Sequence, residues 1–318
     1  MLRDEFIRTA AATVGAAALP GTASAGESDV SLTTATGTIY GTLALPAKTP
    51  APVVLIVAGS GPTDRNGDSA LGIAPETYRM LAAALAQRGV ASLRYDKRGI
   101  GASFGAAGRE ESLRFDTYVD DAVGWLELLA RDARFSRVCV AGHSEGSLIG
   151  TIAVIKAPAH SLVSLDGAGR PAATILREQL KANLSPQQYA VADGIIGKLQ
   201  QGKTVPSTPA DMAAWARPSV QPYLISWFQY DPAVEIGKVR IPVTIVAGTA
   251  DVQVGLADAQ ALKRGNPSAT LVVIKGMNHL LKYAPDTSSA AAIAAAYQNN
   301  SLPVDPQAID AVYAAAIE

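Results

Sequence analysis

The segment G-H-S-E-G at residues 142–146 constrains the fold more than any other part of the chain. The β-branched run 137–141 before it predicts a buried strand, and the apolar run 147–155 after it predicts a buried helix. The glycines at both ends leave room for a turn that is too sharp for side chains. Strand, turn and helix in this order predict a nucleophile elbow, which presents the hydroxyl of Ser144 at the top of a sheet.

Ser144 requires a base, because a serine hydroxyl is a weak nucleophile at neutral pH. In proteins with this elbow, an acid and then a histidine follow the serine along the chain. Of the three histidines, His143 is next to the serine and its side chain cannot turn back onto it, and His160 is expected to be exposed at the start of a strand. His279 lies in a loop directly after the apolar run 269–274, so we assign it as the base.

Two aspartates compete for the role of the acid that orients His279. The run 241–248 predicts a buried strand, and Asp251 follows its carboxyl end, the edge where open α/β sheets build their sites. Asp166 follows an earlier predicted strand, a position from which some enzymes with this elbow take their acid. A third candidate, Asp258, falls in a predicted helix and is expected to be solvated. We assign Asp251 as the acid and keep Asp166 as the alternative.

An oxyanion hole requires two backbone N–H groups that point at the developing negative charge. One is expected from Glu145, the first residue of the elbow helix, where the helix dipole also favours an anion. The other is expected from the loop after the third predicted strand, which reads G-S-G-P-T-D-R-N-G at residues 59–67. Ser60 is the first choice for this donor and Gly61 the second.

Strands alternate with helical patterns along most of the chain, which is typical of a mainly parallel sheet. Helices are predicted at residues 76–88, 118–131 and 306–317. With 48% hydrophobic residues among 318, the chain can bury one large core.

Composition excludes several classes of function. A net charge of -1 leaves no basic footprint for nucleic acid. Three scattered histidines and the single cysteine, Cys139 in a predicted strand, form no metal-ligand cluster. We therefore expect no metal ion and no other cofactor.

Together these motifs resemble the α/β-hydrolase superfamily, specifically its capped serine esterase and lysophospholipase-like branch, from about residue 30 to the end. Besides the elbow, the resemblance rests on the loop at 59–67, Y-D-K-R-G-I-G-A-S at 95–103, G-T-A-D at 248–251 and G-M-N-H at 276–279. It implies the α/β-hydrolase fold, a mainly parallel, doubly wound sheet with an inserted helical cap.

Two details of the resemblance concern individual residues. The segment 95–103 implies a structural turn after the fourth strand, in which Asp96 and Arg98 form an internal ion pair. Many relatives carry His-Gly where this chain has Ala58 and Gly59. We expect the missing histidine to affect the orientation of the oxyanion loop and not the chemistry.

The stretch between the strands that end at 165 and begin near 241 is too long for a simple connection. Helical runs at 172–183, 186–199 and 209–230 predict a cap that overhangs Ser144. The predicted domains are a signal peptide at 1–26, the first part of the core at 27–166, the cap at 167–235 and the second part of the core at 236–318.

The cap carries an aromatic cluster, whose members are candidates for the substrate pocket or, alternatively, for the core of the cap: Trp215, Tyr223, Trp227 and Phe228. A pocket lined by apolar cap residues favours an uncharged, moderately apolar ester with a short to medium acyl chain.

Residues 1–26 have the pattern of a bacterial export signal. An apolar run at 9–19 is followed by Ala23-Ser24-Ala25, a small-x-small cleavage pattern, before Gly26. The run is too short to span a bilayer, which takes about 20 residues. We expect a periplasmic or secreted protein without a membrane span.

The sequence therefore predicts a serine hydrolase that cleaves small-molecule carboxylic esters through an acyl-enzyme on Ser144. A serine peptidase of the aminopeptidase type is the alternative, although proline iminopeptidases carry His-Gly-Gly-Pro-Gly in the loop where this chain has G-S-G-P at 59–62. A catalytically inactive binding protein is a further alternative, but such proteins usually lack a member of the triad, and here all three are present.

Overall fold

One eight-stranded sheet organises the computed structural model, which describes residues 26–70 and 72–318. The predicted signal peptide lies outside the described residues except for Gly26. In spatial order the strands are β1 (Glu27–Thr34), β2 (Gly37–Ala44), β4 (Ala91–Tyr95), β3 (Ala51–Val57), β5 (Phe135–His143), β6 (Ser161–Leu165), β7 (Val243–Gly248) and β8 (Thr270–Ile274).

Strands β1 and β2, and β2 and β4, pair antiparallel, and every other neighbouring pair in the sheet is parallel. The helices that follow or separate the strands are α1 (Thr77–Gln87), α2 (Phe115–Arg131), α3 (Glu145–Lys156), α4 (Ala172–Asn183), α5 (Pro186–Gln200), α6 (Ala213–Ala216), α7 (Gln221–Trp227), α8 (Pro232–Ile236), α9 (Leu256–Gly265), α10 (Ala290–Gln298) and α11 (Pro306–Ile317). The predicted mainly parallel sheet is confirmed.

Helices cover both faces of the sheet, because alternate residues of the central strands are apolar on both sides. On one face, Val53 and Leu55 of β3 share a buried cluster with Trp125 of α2. On the other face, Val54 and Ile56 share a cluster with α1 and α11. Burying each such side chain contributes about 1.5–3 kcal/mol, so this two-sided core stabilises the doubly wound arrangement.

The predicted helices at 76–88, 118–131 and 306–317 are confirmed as α1, α2 and α11. The prediction of one helix over 209–230 is wrong, because a short 3-10 turn, α6 and α7 share this stretch. The break falls at Arg217, whose φ of -53° and ψ of 147° are extended. Pro218 follows it, and the residue before a proline is disfavoured in the helical conformation.

Helices α4 to α8 lie between β6 and β7, where the cap was predicted. Leu180 and Ile196 from this insert belong to the same buried apolar cluster as the residues of β3. The insert therefore packs against the core of the sheet, and its boundaries at 167 and 235 stay a prediction. Among the described residues, no helix is both long and apolar enough to cross a membrane.

The turn after β4 forms two ion pairs instead of the predicted single one. Asp96 binds Arg65 (Nη2 to Oδ2, 2.8 Å), whereas Arg98 binds Asp121 (Nε to Oδ2, 2.7 Å). A Cβ on Gly101 would lie 2.6 Å from the Asp96 carboxylate, so the turn closes tightly around that side chain. The turn is structural as predicted, but its two charged residues have separate partners.

Candidate active site

Ser144 lies between the end of β5 and the start of α3, as the sequence predicts, with φ 55° and ψ -122°. This left-handed conformation is strained for a residue with a side chain. Its backbone N–H donates to the carbonyl of Leu165 at 2.9 Å, which fixes the turn to β6. A Cβ on Gly142 would lie 2.2 Å from a carbonyl oxygen of the turn, and one on Gly146 would lie 2.3 Å from Val57 O. Both glycines are thus required by space.

Asp251 and His279 meet where they leave β7 and β8. The Nδ1 atom of His279 lies 2.6 Å from Oδ2 of Asp251, whose side chain is fully buried. The other oxygen, Oδ1, accepts from the N–H groups of Gln253 (2.7 Å) and Val254 (2.9 Å). Since a carboxylate only accepts, Nδ1 carries the proton, which leaves Nε2 available to accept one from a nucleophile.

The environment of His279 has opposing effects on its pKa. Burial disfavours the charged imidazolium and lowers the pKa. The charge of Asp251 and its hydrogen bond favour the imidazolium and outweigh burial, so the pKa lies above the ordinary 6.5.

Asp166 lies beside this pair but does not bind the imidazole. Its Oδ1 accepts from the N–H of Gly248 at 2.8 Å, and its buried Oδ2 has no hydrogen-bond partner among the described residues. One ligand atom each from Asp166, Asp251 and His279 all lie within 4.8 Å of one another. Burial and the nearby charge of Asp251 raise the pKa of Asp166 well above its ordinary value, which favours a neutral carboxylic acid. Asp251, and not Asp166, is therefore the carboxylate that binds His279.

The predicted oxyanion loop, residues 59–67, lies directly against Ser144. A Cβ on Gly59 would lie 3.1 Å from Cβ of Ser144. Within residues 26–70 and 72–318, the backbone N–H groups of Ser60 and Glu145 donate to no other group. Both N–H groups remain available for an oxyanion, and their assignment stays a prediction.

A relay of hydrogen bonds through Tyr78 and His143, not predicted from the sequence, connects the loop at Gly59 to the loop at His279. The N–H of Gly59 donates to the Tyr78 hydroxyl (3.1 Å), and Tyr78 contacts Nδ1 of His143 (2.8 Å). The Nε2 atom of His143 lies 2.8 Å from the carbonyl oxygen of His279. Because a carbonyl only accepts, Nε2 carries the proton and Nδ1 accepts from Tyr78. Tyr78 thus holds the loop next to Ala58, where many relatives carry histidine.

His143 remains neutral in this relay. Burial, together with the neighbouring His279, lowers the pKa of His143 to about 3. His160, the third histidine, is exposed at the start of β6, and its Nδ1 accepts from the N–H of Val138 at 3.1 Å. His279 is therefore the histidine placed to act as a base.

A cavity of about 750 Å³ opens at Ser144 and His279. The oxyanion loop forms one wall, with Ser60 on its surface. The cap contributes α4, including Ile175, and the late segment that contains α10 contributes Ile293. A cavity of this size can hold a small organic molecule.

The predicted pocket residues do not line this cavity, so that expectation is corrected. Trp215 and Tyr223 are instead buried in the apolar core, and Trp227 and Phe228 are partly buried and pack against it. The ring of Phe115, at the start of α2, stacks on Trp227 at 5.9 Å. Helix α7 turns its aromatic face toward α2, and the cap residues that line the cavity come from α4.

Part of the chain matches a known protein family, and a larger part is similar to a curated protein. Residues 74–214 match the family described as "Serine aminopeptidase, S33" (Hydrolase_4). The chain is 27% identical to Esterase EstD of Thermotoga maritima over 236 aligned residues. This aligned stretch covers 73% of this chain and 55% of that protein. The chain thus spans little more than half the length of this curated relative.

Solved structures of low identity share the fold. The α/β hydrolase GrgF from Penicillium sp. sh18 superposes with a TM-score of 0.58 at 18% identity, covering 86% of this chain and 97% of that one. Est1E from Butyrivibrio proteoclasticus with bound ferulic acid superposes with a TM-score of 0.54 at 18% identity, covering 82% of this chain and 93% of that one.

Proposed function

We propose that the chain is a member of the α/β-hydrolase superfamily and a serine hydrolase that cleaves carboxylic esters through an acyl-enzyme on Ser144, supported by the family match, the esterase relative and the shared fold. The observation that carries the proposal is the 2.6 Å hydrogen bond between His279 and Asp251, in a cavity that also exposes the strained Ser144. Ser144 and His279 line the same cavity, and Ser144, Asp251 and His279 follow one another along the chain in the order expected for this chemistry.

In the acylation step, Nε2 of His279 takes the hydroxyl proton as Oγ of Ser144 attacks the ester carbonyl carbon. The resulting oxyanion accepts hydrogen bonds from the N–H groups of Ser60 and Glu145. When the intermediate collapses, the bond to the alkoxide breaks and His279 protonates the departing alcohol. A water then attacks the acyl-enzyme, with His279 again as base, and releases the carboxylic acid.

We propose an uncharged, small-molecule ester with a short to medium acyl chain as the substrate. Support comes from the volume of the cavity, about 750 Å³, and from apolar side chains such as Ile175, Ala182 and Ile293 on its walls. Amide groups of Gln179 and Asn183 line the same cavity and supply uncharged hydrogen-bonding groups.

A serine aminopeptidase is the second candidate, favoured by the family match over residues 74–214. Such an enzyme must bind the free ammonium group of its substrate, for which a carboxylate is the natural partner. In the described part of the chain, Glu178 is the one carboxylate that lines the cavity, and it already binds Arg170 at 2.6 Å. This pairing favours the ester over the aminoacyl substrate.

The experiment compares hydrolysis of p-nitrophenyl acetate with hydrolysis of aminoacyl p-nitroanilides by the purified protein. We expect kcat/KM for the ester to exceed that for the anilides, and Ser144→Ala to abolish both activities. A higher kcat/KM for the anilides would assign the protein to the aminopeptidases.

We further propose that the protein is exported to the periplasm or outside the cell, with cleavage between Ala25 and Gly26. The proposal is supported by the small-x-small pattern and by the start of β1 at Glu27, so that the cut leaves every described element intact. The mass of the protein recovered from the periplasm or medium tests it. A product that still carries Met1 would contradict it.

A further inference from the structure

A buried lysine contacts both segments of the chain that carry a predicted oxyanion donor. The Nζ atom of Lys97 donates to the carbonyl oxygen of Gly59 at 2.6 Å and lies 3.3 Å from Oε2 of Glu145. The side chains of Lys97 and Glu145 are each 2% exposed. Lys97 comes from the turn after β4, to which the sequence analysis gave only a structural role.

The lysine acts on the same peptide group that carries one predicted oxyanion donor. The carbonyl of Gly59 and the N–H of Ser60 belong to one planar trans peptide, so they point in opposite directions. An ammonium bound to the carbonyl therefore fixes the direction of the Ser60 N–H. It also polarises the peptide and strengthens its N–H as a donor, because hydrogen bonds in series reinforce one another in a low dielectric.

The second oxyanion donor is tied to the same lysine through a side chain. Glu145 offers its backbone N–H to the oxyanion, and its carboxylate binds Lys97 and accepts a hydrogen bond from the hydroxyl of Tyr223. Burial raises the pKa of Tyr223 well above its ordinary value and keeps this hydroxyl protonated. The centre of the Tyr118 ring lies 4.9 Å from Nζ of Lys97, close enough for a cation–π interaction with the ammonium.

Stability alone does not account for this arrangement. Apolar side chains that replace a buried ion pair often give an equally stable or more stable protein. We propose that Lys97 is a positioning residue for catalysis, whose ammonium orients and polarises the Gly59–Ser60 peptide toward the oxyanion while Glu145 holds the ammonium in place. The proposal rests on the proposed acyl-enzyme chemistry at Ser144.

This role predicts a loss that is specific to the transition state. The N–H of Ser60 stabilises a negative charge that develops only in the transition state and is absent from the bound ester. Removing the polarisation of this N–H therefore lowers kcat with little change in KM. We expect kcat to fall about 10–100-fold, less than the roughly 10²–10³-fold loss when a whole oxyanion donor is removed.

The test compares two double variants that each remove a buried ion pair from the same turn. Lys97→Met/Glu145→Gln removes the pair under the oxyanion loop, and Arg98→Met/Asp121→Asn removes a pair whose side chains are 6% and 3% exposed. For each we measure kcat and KM on p-nitrophenyl acetate, Ki for a trifluoromethyl ketone, and the rate at which a fluorophosphonate labels Ser144. The ketone adduct and the phosphonate both place an oxygen in the oxyanion hole.

We expect the first variant to lose kcat, ketone affinity and labelling rate in similar proportion at nearly constant KM, and the second to keep all four quantities close to wild type. Equal losses in the two variants, or a loss confined to KM, would overturn the role of Lys97. If the first variant does not fold, Lys97→Gln/Glu145→Gln keeps a neutral donor, and wild-type ketone affinity and labelling in it would overturn the proposal equally.

The two proposals fail in different ways. A wild-type protein that labels at Ser144 but does not hydrolyse esters would refute the proposed substrate. In that case the labelling rates of the two double variants would still decide the role of Lys97.

Discussion

His143 donates a hydrogen bond from Nε2 to the backbone carbonyl of His279 at 2.8 Å, so the residue before Ser144 holds the loop that carries His279. On its other side, His143 accepts from Tyr78, which accepts from the N–H of Gly59. One chain of hydrogen bonds therefore connects the oxyanion loop to the base loop. This chain of hydrogen bonds is buried. Removing one of its members therefore leaves buried polar groups without hydrogen-bond partners.

Tyr78→Phe tests this relay. It leaves the Gly59 N–H and Nδ1 of His143 buried without partners, so we expect the free energy of unfolding to fall by about 1–3 kcal/mol. Urea denaturation measures the loss. Tyr95→Phe is the matched control, because the equally buried Tyr95 hydroxyl has no partner among the described residues. Equal losses of unfolding free energy in the two variants would show that the relay does not stabilise the protein.

The pH dependence of esterase activity follows from His279. Only the neutral imidazole accepts the serine proton, so activity rises with pH through the pKa of His279. Because burial is outweighed by the charge and hydrogen bond of Asp251, that pKa is raised, and we expect the acid limb of kcat/KM above pH 6.5. His143, with a pKa of about 3, stays neutral throughout. An acid limb below the ordinary histidine range would contradict this assignment.

Asp251→Asn and Asp166→Asn separate the two carboxylates. The first substitution removes the charge that orients His279, so we expect a loss in kcat on the order of 10⁴-fold. The second replaces a carboxylic acid that burial already favours in its neutral form, so we expect a much smaller loss. Assays of p-nitrophenyl acetate hydrolysis by the two folded variants check the ranking. The reverse order would move the catalytic acid to the strand end of β6.

The cavity walls predict which residue sets the acyl-chain preference. Ile175→Ala enlarges the cavity beside Ser144, so we expect the optimum to shift toward longer acyl chains, at about 1–3 kcal/mol per methylene. Trp227→Ala removes a ring that stacks on Phe115 outside the cavity, so stability falls and the optimum stays. A p-nitrophenyl ester series measures both. A shift of the optimum chain length in the Trp227 variant alone would show that the aromatic cluster lines the substrate pocket.

The turn around Ser144 could be predicted from the sequence because its local geometry dictates the residue type at particular positions. The elbow allows only glycine at 142 and 146, because a Cβ at either position would overlap backbone oxygen atoms. The contact between Asp251 and His279 could be predicted because parallel strands end at one edge of the sheet.

The relay and the lysine under the oxyanion loop were not found, because their contacts depend on packing between distant segments. Tyr78 and His143 are 65 residues apart, and Lys97 and Glu145 are 48 apart. No local sequence pattern indicates which distant residues come into contact. The aromatic cluster of the cap was misplaced for the same reason, since the packing of α7 against Phe115 decides which face of the cap meets the cavity.

The most direct test of the account is the site of covalent labelling by a fluorophosphonate, mapped by peptide mass spectrometry on the purified protein. We expect one adduct, on Ser144, and no labelling of a folded Ser144→Ala variant, whose esterase rate falls by several orders of magnitude. An adduct on Ser60 or Ser147, or an unlabelled protein that still hydrolyses esters, would contradict the assignment of Ser144 as the nucleophile.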